Sequence, residues 1–349
     1  MAIQDICAIS VSGKSVLVRV DFNVELDEQR DVKEKYKVLA AKETVDYLVA
    51  QGAKVALLTH LGRPEGKLLD EFSVRHIVDD AERILGRSIL FVDDCIGEKV
   101  AFALSDLPEG GVLLLENVRF HAGDEINDVE FSRALASSFD MFVNDAFSVC
   151  HRDQASVTGV TKFLPSFAGK HLMEEIRHLT AVRDCPARPA IAIIGGAKIE
   201  TKLPILRVFE KSYDKVLVGS KIACEANEQK LTFSEKVVFP EDYTDHCLDI
   251  GVLATEQFCR EIADAKTIIW NGPLGKFESP EHAKGTYTIL DAIVKSDAFS
   301  VVGGGETIIA LEEAGMFGKI SFVSTGGGAM LEFLSGEPMP GFLALEKEK

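Results

Sequence analysis

Cationic side chains follow the apolar, strand-like runs in the first half of the chain. The runs VLVRVDFN, KVALLTHLGRP, GVLLLENVRF and MFVNDAF lead into five such residues: Arg19, His60, Arg63, Arg119 and Arg152. Guanidinium groups bind carboxylate and phosphate through paired hydrogen bonds, and they stay charged at any working pH. Each arginine alone could be a solvated loop residue, but the set recurs at one topological position, where open parallel sheets bind ligands. We therefore expect the five to bind one small, multiply anionic substrate.

Two polar residues, Asp21 and Asn23, come shortly after Arg19 in the same run. They could orient the cations or bind substrate hydroxyl groups, and the alternative for both is a turn cap. We include both in the candidate substrate site.

Glycine, in contrast, follows the apolar runs in the second half of the chain. The glycine segments lie at 195–198, 303–305 and 326–328. Glycine lets a backbone approach phosphate closely, and a helix that begins there adds N–H donors and a favourable dipole. One triplet also suits a tight turn, but several such segments favour a phosphate site.

Charged residues accompany these glycines. Lys198 and Lys202 lie four residues apart, hence on one face of a helix, from which both could reach phosphate oxygens. Glu306 and Glu278 are candidate Mg²⁺ contacts because hard cations prefer carboxylate oxygens, although Glu278 could equally be a surface glutamate.

Two sequence motifs for other chemistries are incomplete or absent in this chain. The run Gly13-Lys14-Ser15 has Ala8 where a phosphate-binding P-loop needs its first glycine. The sequence has no G-x-G-x-x-G that opens a helix, so a dinucleotide oxidoreductase lacks support.

The composition excludes several classes of protein. A net charge of −17 argues against a nucleic acid or an anionic membrane as partner. The seven cysteines are odd in number and lack C-x-x-C spacing, so we expect neither a disulfide framework nor a zinc site. The N-terminal residues lack the pattern of a secretion signal, and no apolar run approaches the roughly 20 residues that cross a bilayer. We expect a soluble, cytoplasmic protein.

Short β-rich runs alternate with helical patterns along the chain. This alternation predicts an α/β fold with parallel sheets flanked by helices. Helices are predicted over 36–51, 73–85, 128–139 and 170–184. The sequence FLPSFAG interrupts the pattern, so we expect an N-terminal lobe over 1–168, a connecting helix over 169–184 and a C-terminal lobe over 185–334. The tail 335–349 is expected to return to the first lobe.

A series of sequence blocks resembles phosphoglycerate kinase, in family order over nearly the whole chain. The blocks are RVDFNV, HLGRP, LLLENVRFH, VNDAF, GGAKI, WNGPLGKFE, AKGT, GGGET and STGGGA. The resemblance implies two Rossmann-like lobes joined by a helix, with 3-phosphoglycerate bound by the N-terminal lobe and Mg-nucleotide by the C-terminal lobe. It also implies a monomeric enzyme of glycolysis whose lobes close on their substrates.

The resemblance also implies roles for individual residues. The substrate-binding residues would be Asp21, Asn23, Lys37, His60, Arg63, Arg119 and Arg152. The nucleotide-binding residues would be Gly196, Lys198, Lys202, Gly219, Asn271, Pro273, Glu278, Gly303, Gly305, Glu306 and Thr307, with Glu306 as the Mg²⁺ ligand. The catalytic groups that stabilise the transferring phosphoryl group would be Lys37, Lys198, Gly304 and Gly327.

The chain departs from the family pattern at several positions. Lys37 stands where the family has an arginine, so the charge is kept but the planar fork is lost. Glu306 replaces the usual aspartate. Several tens of residues, including a helix beside the adenine pocket, are missing between Ser220 and Leu248. The nucleotide affinity and base preference are therefore the least certain part of the resemblance.

We expect the chain to be a phosphoglycerate kinase. The reaction would move a phosphoryl group reversibly between 1,3-bisphosphoglycerate with ADP and 3-phosphoglycerate with ATP, with Mg²⁺ as cofactor. Lys37 and the shortened nucleotide lobe favour one alternative, a non-catalytic relative that binds phosphoglycerate. A kinase for a different sugar or acid is a further alternative.

Overall fold

The chain is divided into two units of packed structure. A computed structural model describes residues 3–27 and 29–346. Unit 1 comprises residues 1–175 and 338–349, and unit 2 comprises residues 176–337. Each unit is described below by itself.

Unit 1 is built on a six-stranded sheet in which all neighbouring strands are parallel. Its strands are β1 (Ser15–Arg19), β2 (Lys54–Leu58), β3 (Leu90–Val92), β4 (Val112–Leu115), β5 (Met141–Asn144) and β6 (Ser166–Ala168). They lie in the order β3-β4-β2-β1-β5-β6. Its first helices are α1 (Lys35–Ala40), α2 (Lys42–Ala50), α3 (Val78–Leu85), α4 (Glu98–Asp106) and α5 (Val129–Ala136).

The sheet of unit 1 is buried on both faces. Val16 and Val18 of β1 belong to one apolar cluster, and Leu17 between them belongs to another. Side chains alternate across a strand, so the continuous apolar runs seen in the sequence fit a parallel sheet with both faces covered.

Local sequence explains some of the helix ends in unit 1. Ser73 accepts a hydrogen bond from the Arg75 N–H before α3, and Gly86 ends that helix with a φ of 71°. Asp128 caps α5 through the Phe131 N–H. The single helix predicted over 36–51 is wrong in one respect, because it is split into α1 and α2 at Ala41, whose N–H donates to the Val38 carbonyl three residues back.

Helix α6 (Lys170–Asp184) has the predicted bounds and contains the boundary between the units at residues 175 and 176. The strands of unit 2 are β7 (Ala190–Ile194), β8 (Lys215–Val218), β9 (Val237–Val238), β10 (Tyr243–Thr244), β11 (Asp249–Ile250), β12 (Thr267–Asn271), β13 (Phe299–Gly303) and β14 (Phe322–Ser324). Its helices are α7 (Ile199–Ser212), α8 (Ser220–Glu228), α9 (Val252–Ala263), α10 (Lys284–Lys295), α11 (Gly305–Glu313) and α12 (Gly328–Leu334).

Unit 2 repeats the architecture of unit 1. Six parallel strands lie in the order β14-β13-β12-β7-β8-β9, while β10 and β11 form a separate antiparallel pair. The register pairs Asn271 with both Ile194 and Gly303, so the carboxyl ends of the three central strands are level. The glycine segments that follow them therefore meet at one edge of the sheet. Together the two sheets confirm the predicted α/β fold with two lobes.

The tail of the chain belongs to unit 1. It contains the short helix α13 (Pro340–Leu343). The Gly341 N–H donates to the Cys150 carbonyl at 2.9 Å, and the buried Phe342 ring lies 5.8 Å from that of Phe147. The Gln4 N–H donates to the Leu345 carbonyl. Residues from both ends of the chain thus complete the core of unit 1.

One expectation about the cysteines is wrong. Cys224 of α8 and Cys247 of the turn between β10 and β11 form a disulfide, with their Cα atoms 6.6 Å apart. They are separated by 23 positions in sequence, so short-spacing rules could not detect them; the β10–β11 hairpin brings them together. In the described part of the chain, no helix is both long and apolar enough to cross a membrane.

Candidate active site

Arg19 anchors the carboxyl edge of the unit 1 sheet. It ends β1, is fully buried, and is paired in register with Leu58 of β2, two residues before His60. Its Nη2 lies 3.0 Å from His60 Nδ1, its Nη1 donates to the Val20 carbonyl at 2.7 Å, and its Nε donates to Ser156 Oγ at 3.3 Å. Because these bonds occupy the guanidinium group of Arg19, this residue orients His60 and does not offer a free pair of donors to a substrate.

His60 is held as a neutral donor. Burial lowers its pKa well below the usual value, and the positive charges of Arg19, Arg119, Arg152 and Lys37 lower the pKa further. A guanidinium can only donate, so Nδ1 accepts the bond from Arg19 and the imidazole proton lies on Nε2. His60 can therefore donate a hydrogen bond to an anion without carrying charge itself.

Arg119, unlike Arg19, has guanidinium donors that are left for a substrate. It is 3 % exposed, and its Nη1 donates to the Gly62 carbonyl at 2.7 Å. Its Nε and Nη2 are buried and make no hydrogen bond among the described residues, although Nε lies 3.6 Å from Glu125 Oε1 in an ion pair. Burial lowers its pKa to about 10, and Arg152 and Arg19 act in the same direction. Buried donors are nearly always satisfied in folded proteins, so this guanidinium fits an anionic ligand.

Asn23 connects the remaining predicted groups of this edge. Its Oδ1 accepts from the Gly62 N–H at 2.9 Å, its N–H donates to Asp21 Oδ1 at 3.1 Å, and its carbonyl accepts from Lys37 Nζ at 2.9 Å. Asn23, Lys37 and Gly62 also line one cavity of about 430 Å³. Lys37 Nζ further forms an ion pair of 2.9 Å with the buried Glu34, which partly offsets its charge.

The two other predicted cations lie at the margin of this group. Arg152 is half-buried, its Nε donates to His151 Nε2 at 3.2 Å, and it is close enough to lower the pKa of both His60 and Arg119. Arg63 is exposed and directly follows Gly62. The structure thus brings together the predicted substrate residues of unit 1, with Arg63 on the outside.

In unit 2, the glycines allow backbone segments to approach each other closely. A Cβ atom on Gly195 would lie 2.0 Å from the Pro273 carbonyl oxygen, and one on Gly219 would lie 2.9 Å from the Gly195 Cα. The Gly196 N–H donates to the same Pro273 carbonyl at 2.9 Å. Side chains at these positions would push apart the loops that follow β7, β8 and β12.

Four helices begin at this edge of the unit 2 sheet. The residues that precede their first turns are Lys198, Gly219, Gly304 and Gly327. Gly304 and Gly327 have φ values of 99° and 51°, which glycine adopts without strain. Together with Gly196 and Gly305 they line a cavity of about 470 Å³, which we call the wide cavity. Free N–H groups at a helix start favour phosphate.

Lys202 and Asn271 form the polar floor of the wide cavity. Lys202 Nζ donates to Asn271 Oδ1 at 2.5 Å, and the Asn271 Nδ2 group is buried with no partner among the described residues. Burial lowers the pKa of Lys202 to about 8, although the Glu306 carboxylate raises it. Thr307 Oγ1 accepts from the Gly272 N–H at 2.8 Å and so fixes the loop after β12.

A second cavity of about 220 Å³, the narrow cavity, shares Gly196, Ala197 and Glu306 with the wide one. Pro273 and Glu278 line it as well. Glu306 is exposed in the first turn of α11, and one carboxylate suits Mg²⁺, which keeps several waters and phosphate oxygens as ligands. Lys198 is exposed and lies outside the lining of either cavity. Gly303 is the last residue of β13.

Comparison with known proteins settles the family. The family model of phosphoglycerate kinase matches residues 3–230 and 221–337. The chain belongs to the phosphoglycerate kinase family. Phosphoglycerate kinase of Geobacter metallireducens is 37% identical, with 99% of each chain covered, and that of Desulfosudis oleivorans is 39% identical, with 98% of each covered.

Solved structures of this family have the same fold. The crystal structure of phosphoglycerate kinase from Pyrococcus horikoshii has a TM-score of 0.88, and the structure from Coxiella burnetii has a TM-score of 0.80. Both are 28% identical, and 98% of each chain is covered. These comparisons do not favour the alternative of a non-catalytic relative.

The alignment also reflects the missing segment. It runs over 399 positions with the Geobacter kinase, so at least 50 of them have no residue in this 349-residue chain. The family model matches in two segments that meet at residues 221–230. Residues of α8 therefore lie where this chain departs from the continuous family pattern.

Sequence reasoning missed several residues of the site. Asp124 is fully buried, and its Oδ1 accepts from the Ser156 N–H at 2.9 Å, which holds the hydroxyl that bonds Arg19. Glu34, the partner of Lys37, was also missed. Neither carboxylate belongs to a motif with regular spacing, so only their buried contacts reveal them.

Proposed function

We propose that this member of the phosphoglycerate kinase family transfers a phosphoryl group between 1,3-bisphosphoglycerate and ADP, reversibly. The observation that carries the proposal is the buried Arg119, whose Nε and Nη2 make no hydrogen bond among the described residues and lie within the electrostatic reach of His60 and Arg152. A small substrate with two anionic ends would satisfy these donors. Kinases act mainly by positioning and by charge stabilisation, and groups of this kind supply both.

Phosphoglycerate binds at the carboxyl edge of the unit 1 sheet in this proposal. Arg119, Arg152 and Arg63 bind its phosphate or carboxylate oxygens, and neutral His60 donates through Nε2. Asp21 accepts a hydrogen bond from the substrate hydroxyl group, and Asn23 accepts one from it or donates one to it. Their mutual hydrogen bond fixes both before the substrate arrives, which lowers the entropic cost of binding.

The nucleotide binds at the glycine edge of unit 2. The wide cavity takes the phosphates, with Lys202 and the helix starts at Gly304 and Gly327 as donors. The narrow cavity, with its apolar Leu248 and Leu274, takes the base and ribose. The Asn271 amide, buried with an unpartnered Nδ2, offers a further donor to an anion.

Charge on the transferring group is neutralised by several of these residues. Lys37 supplies positive potential in unit 1, and Lys198 with the backbone N–H groups near Gly304 and Gly327 supplies it in unit 2. Mg²⁺, held through Glu306 when the metal-bound nucleotide is present, would supply further charge on the phosphate oxygens. To contact the substrate, Lys37 Nζ must give up part of its ion pair with Glu34.

A coupled assay with the purified protein tests the activity. Turnover of 3-phosphoglycerate and Mg-ATP should exceed that of a Lys198→Ala control, and folded protein with no turnover above the control would refute the proposal. Arg63→Ala tests the division of roles. Because Arg63 lies in unit 1, we expect it to raise the KM for 3-phosphoglycerate far more than the KM for ATP, whereas equal effects would contradict the assignment.

A further inference from the structure

The disulfide between Cys224 and Cys247 connects two walls of the narrow cavity. One wall comes from Ser220 and Lys221 at the start of α8, and the other from Cys247 and Leu248 of the hairpin turn. Cys224 lies one helical turn after Ser220. The covalent bond therefore fixes the distance between the helix that forms one side of the cavity and the turn that forms the other.

The turn has a conformation that needs external support. Its three successive residues Asp245, His246 and Cys247 have φ values of 44°, 54° and 71°. Side chains other than glycine adopt this left-handed region at a cost, so a run of three persists only where the surroundings hold it. The disulfide is one such restraint, and the hydrogen bond of 2.9 Å between His282 Nε2 and Asp245 Oδ2 is another.

The turn is also joined to the floor of the narrow cavity. The Leu248 carbonyl accepts from the Lys276 N–H at 2.7 Å, and Lys276 lines the same cavity. A change in the turn would thus alter two sides of the cavity together. Both cysteines of the disulfide are half-buried.

The disulfide lies in the part of the chain that is shortened relative to the family. The two family matches meet within α8, which carries Cys224, and Cys247 lies before Leu248, where the missing stretch was expected to end. The cross-link therefore joins the two ends of the stretch in which this chain is shortened.

We propose that Cys224 and Cys247 are positioning residues for the nucleotide, and that reduction of their disulfide weakens nucleotide binding. The inference rests on the proposed function, since it takes the narrow cavity as the site of base and ribose. A dithiol supplies two electrons and two protons in this step. The Sγ–Sγ bond breaks, Cys224 and Cys247 become thiols, and the dithiol closes to its own disulfide.

The test compares the oxidised and the dithiothreitol-reduced full-length protein. Mass spectrometry after alkylation first establishes the state of the two cysteines, and calorimetry then measures the Kd for Mg-ADP and for 3-phosphoglycerate. We expect reduction to raise the Kd for Mg-ADP about tenfold and to change the Kd for 3-phosphoglycerate less than about twofold. A general loss of stability would instead raise both constants.

Two variants distinguish the effect of breaking the disulfide from effects of dithiothreitol on other cysteines. Cys224→Ser should bind Mg-ADP as weakly as the reduced protein, with or without dithiothreitol. Cys259→Ser, which removes a free thiol in α9 of the same unit, should keep the full response to reduction. A turnover assay on the same samples reports whether the enzyme is active.

The outcomes are distinguishable. If the protein binds Mg-ADP and turns over, but reduction leaves the Kd unchanged, the inference is wrong and the proposed function stands. It is equally wrong if both thiols remain free after treatment with an oxidant. If neither redox state binds Mg-ADP, the assignment of the nucleotide site fails, and the inference fails with it.

Discussion

At the residue scale, the substrate edge of unit 1 gathers positive charge that nearby carboxylates, such as Glu34 beside Lys37 and Glu125 beside Arg119, balance only in part. Arg19 and Arg119 are buried, and each lowers the pKa of the neighbouring His60. Mutual repulsion and desolvation both favour release of protons from such a cluster. A bound dianion would offset the repulsion, so the free energy of substrate binding includes relief of this repulsion.

Arg119→Lys tests the value of the guanidinium fork. Lysine keeps one positive charge but cannot offer both Nε and Nη2, the two donors of Arg119 that make no hydrogen bond among the described residues. Hydrogen bonds to charged groups contribute about 1.5–3 kcal/mol, so we expect the KM for 3-phosphoglycerate to rise roughly 10- to 100-fold. Steady-state kinetics checks this, and an unchanged KM would show that these donors do not contact the substrate.

The pH dependence of nucleotide binding should report on Lys202. Burial lowers its pKa to about 8, and only the charged form attracts phosphate. As the pH rises through 8, the free protein loses this charge, so the Kd for Mg-ADP should increase by up to about tenfold per pH unit. Calorimetry between pH 7 and 9.5 measures the effect. Lys202→Met should bind more weakly, with little dependence on pH in this range.

At the element scale, the level ends of β7, β12 and β13 create the nucleotide edge, and close contact between the following loops maintains it. Gly195→Ala would place a methyl group 2.0 Å from a backbone oxygen that cannot move away easily. We expect a loss of stability of about 1–3 kcal/mol, together with weaker nucleotide binding.

Gly318→Ala is the matched control for that change. No atom lies within 4 Å of a Cβ atom built on Gly318, among the residues that the structure describes. Thermal unfolding should therefore be nearly unchanged in this variant. If Gly195→Ala unfolded at the same temperature as Gly318→Ala, the loops around Gly195 would be able to move apart at little cost, which would contradict the prediction.

The elements also show what can be predicted from sequence. The predicted helices 73–85 and 128–139 begin at Ser73 and Asp128, which cap a 3-10 turn (Val74–Ile77) before α3 and the first turn of α5, because such caps depend on local residues. Strand β3 was not predicted, because its residues Leu90 and Phe91 are not fully buried and its run is only 3 residues long. Short edge strands are formed by their neighbours in the sheet more than by their own composition.

The features of the functional site also divide into those that could be predicted from sequence and those that could not. Candidate ligands were predicted because their residue types recur at strand ends. Contacts between distant segments could not be predicted: the Ser156 hydroxyl on Arg19, the pairing of Glu34 with Lys37 and the disulfide of Cys224. Each depends on the register or on a turn that only the folded chain defines.

At the scale of the whole molecule, unit 1 is made from two separate stretches of the chain. Phe342 is fully buried in it, next to Phe147, although the residues of unit 2 lie between them in sequence. Phe342→Ala should lower the stability of unit 1 by about 3–5 kcal/mol. Leu343→Ala changes a neighbour that is 55 % exposed and should have little effect.

Chemical denaturation with separate probes can measure this pair of variants. Hydrogen exchange of amides in β1 and β5 reports on unit 1, and exchange in β12 reports on unit 2. Faster exchange in unit 1 alone is the expected result for Phe342→Ala. Equal acceleration in both units would mean that the tail stabilises the molecule as a whole.

Residues 338–346 leave the ribosome only after all of 176–337 have been made. Domains generally fold as units during synthesis, with the N-terminal one first. Here the lobe that starts first lacks Gly341, Phe342 and Leu345 until the other has been translated. The core of unit 1 therefore stays incomplete during that interval, and we expect this lobe to complete its folding only after unit 2 has been translated.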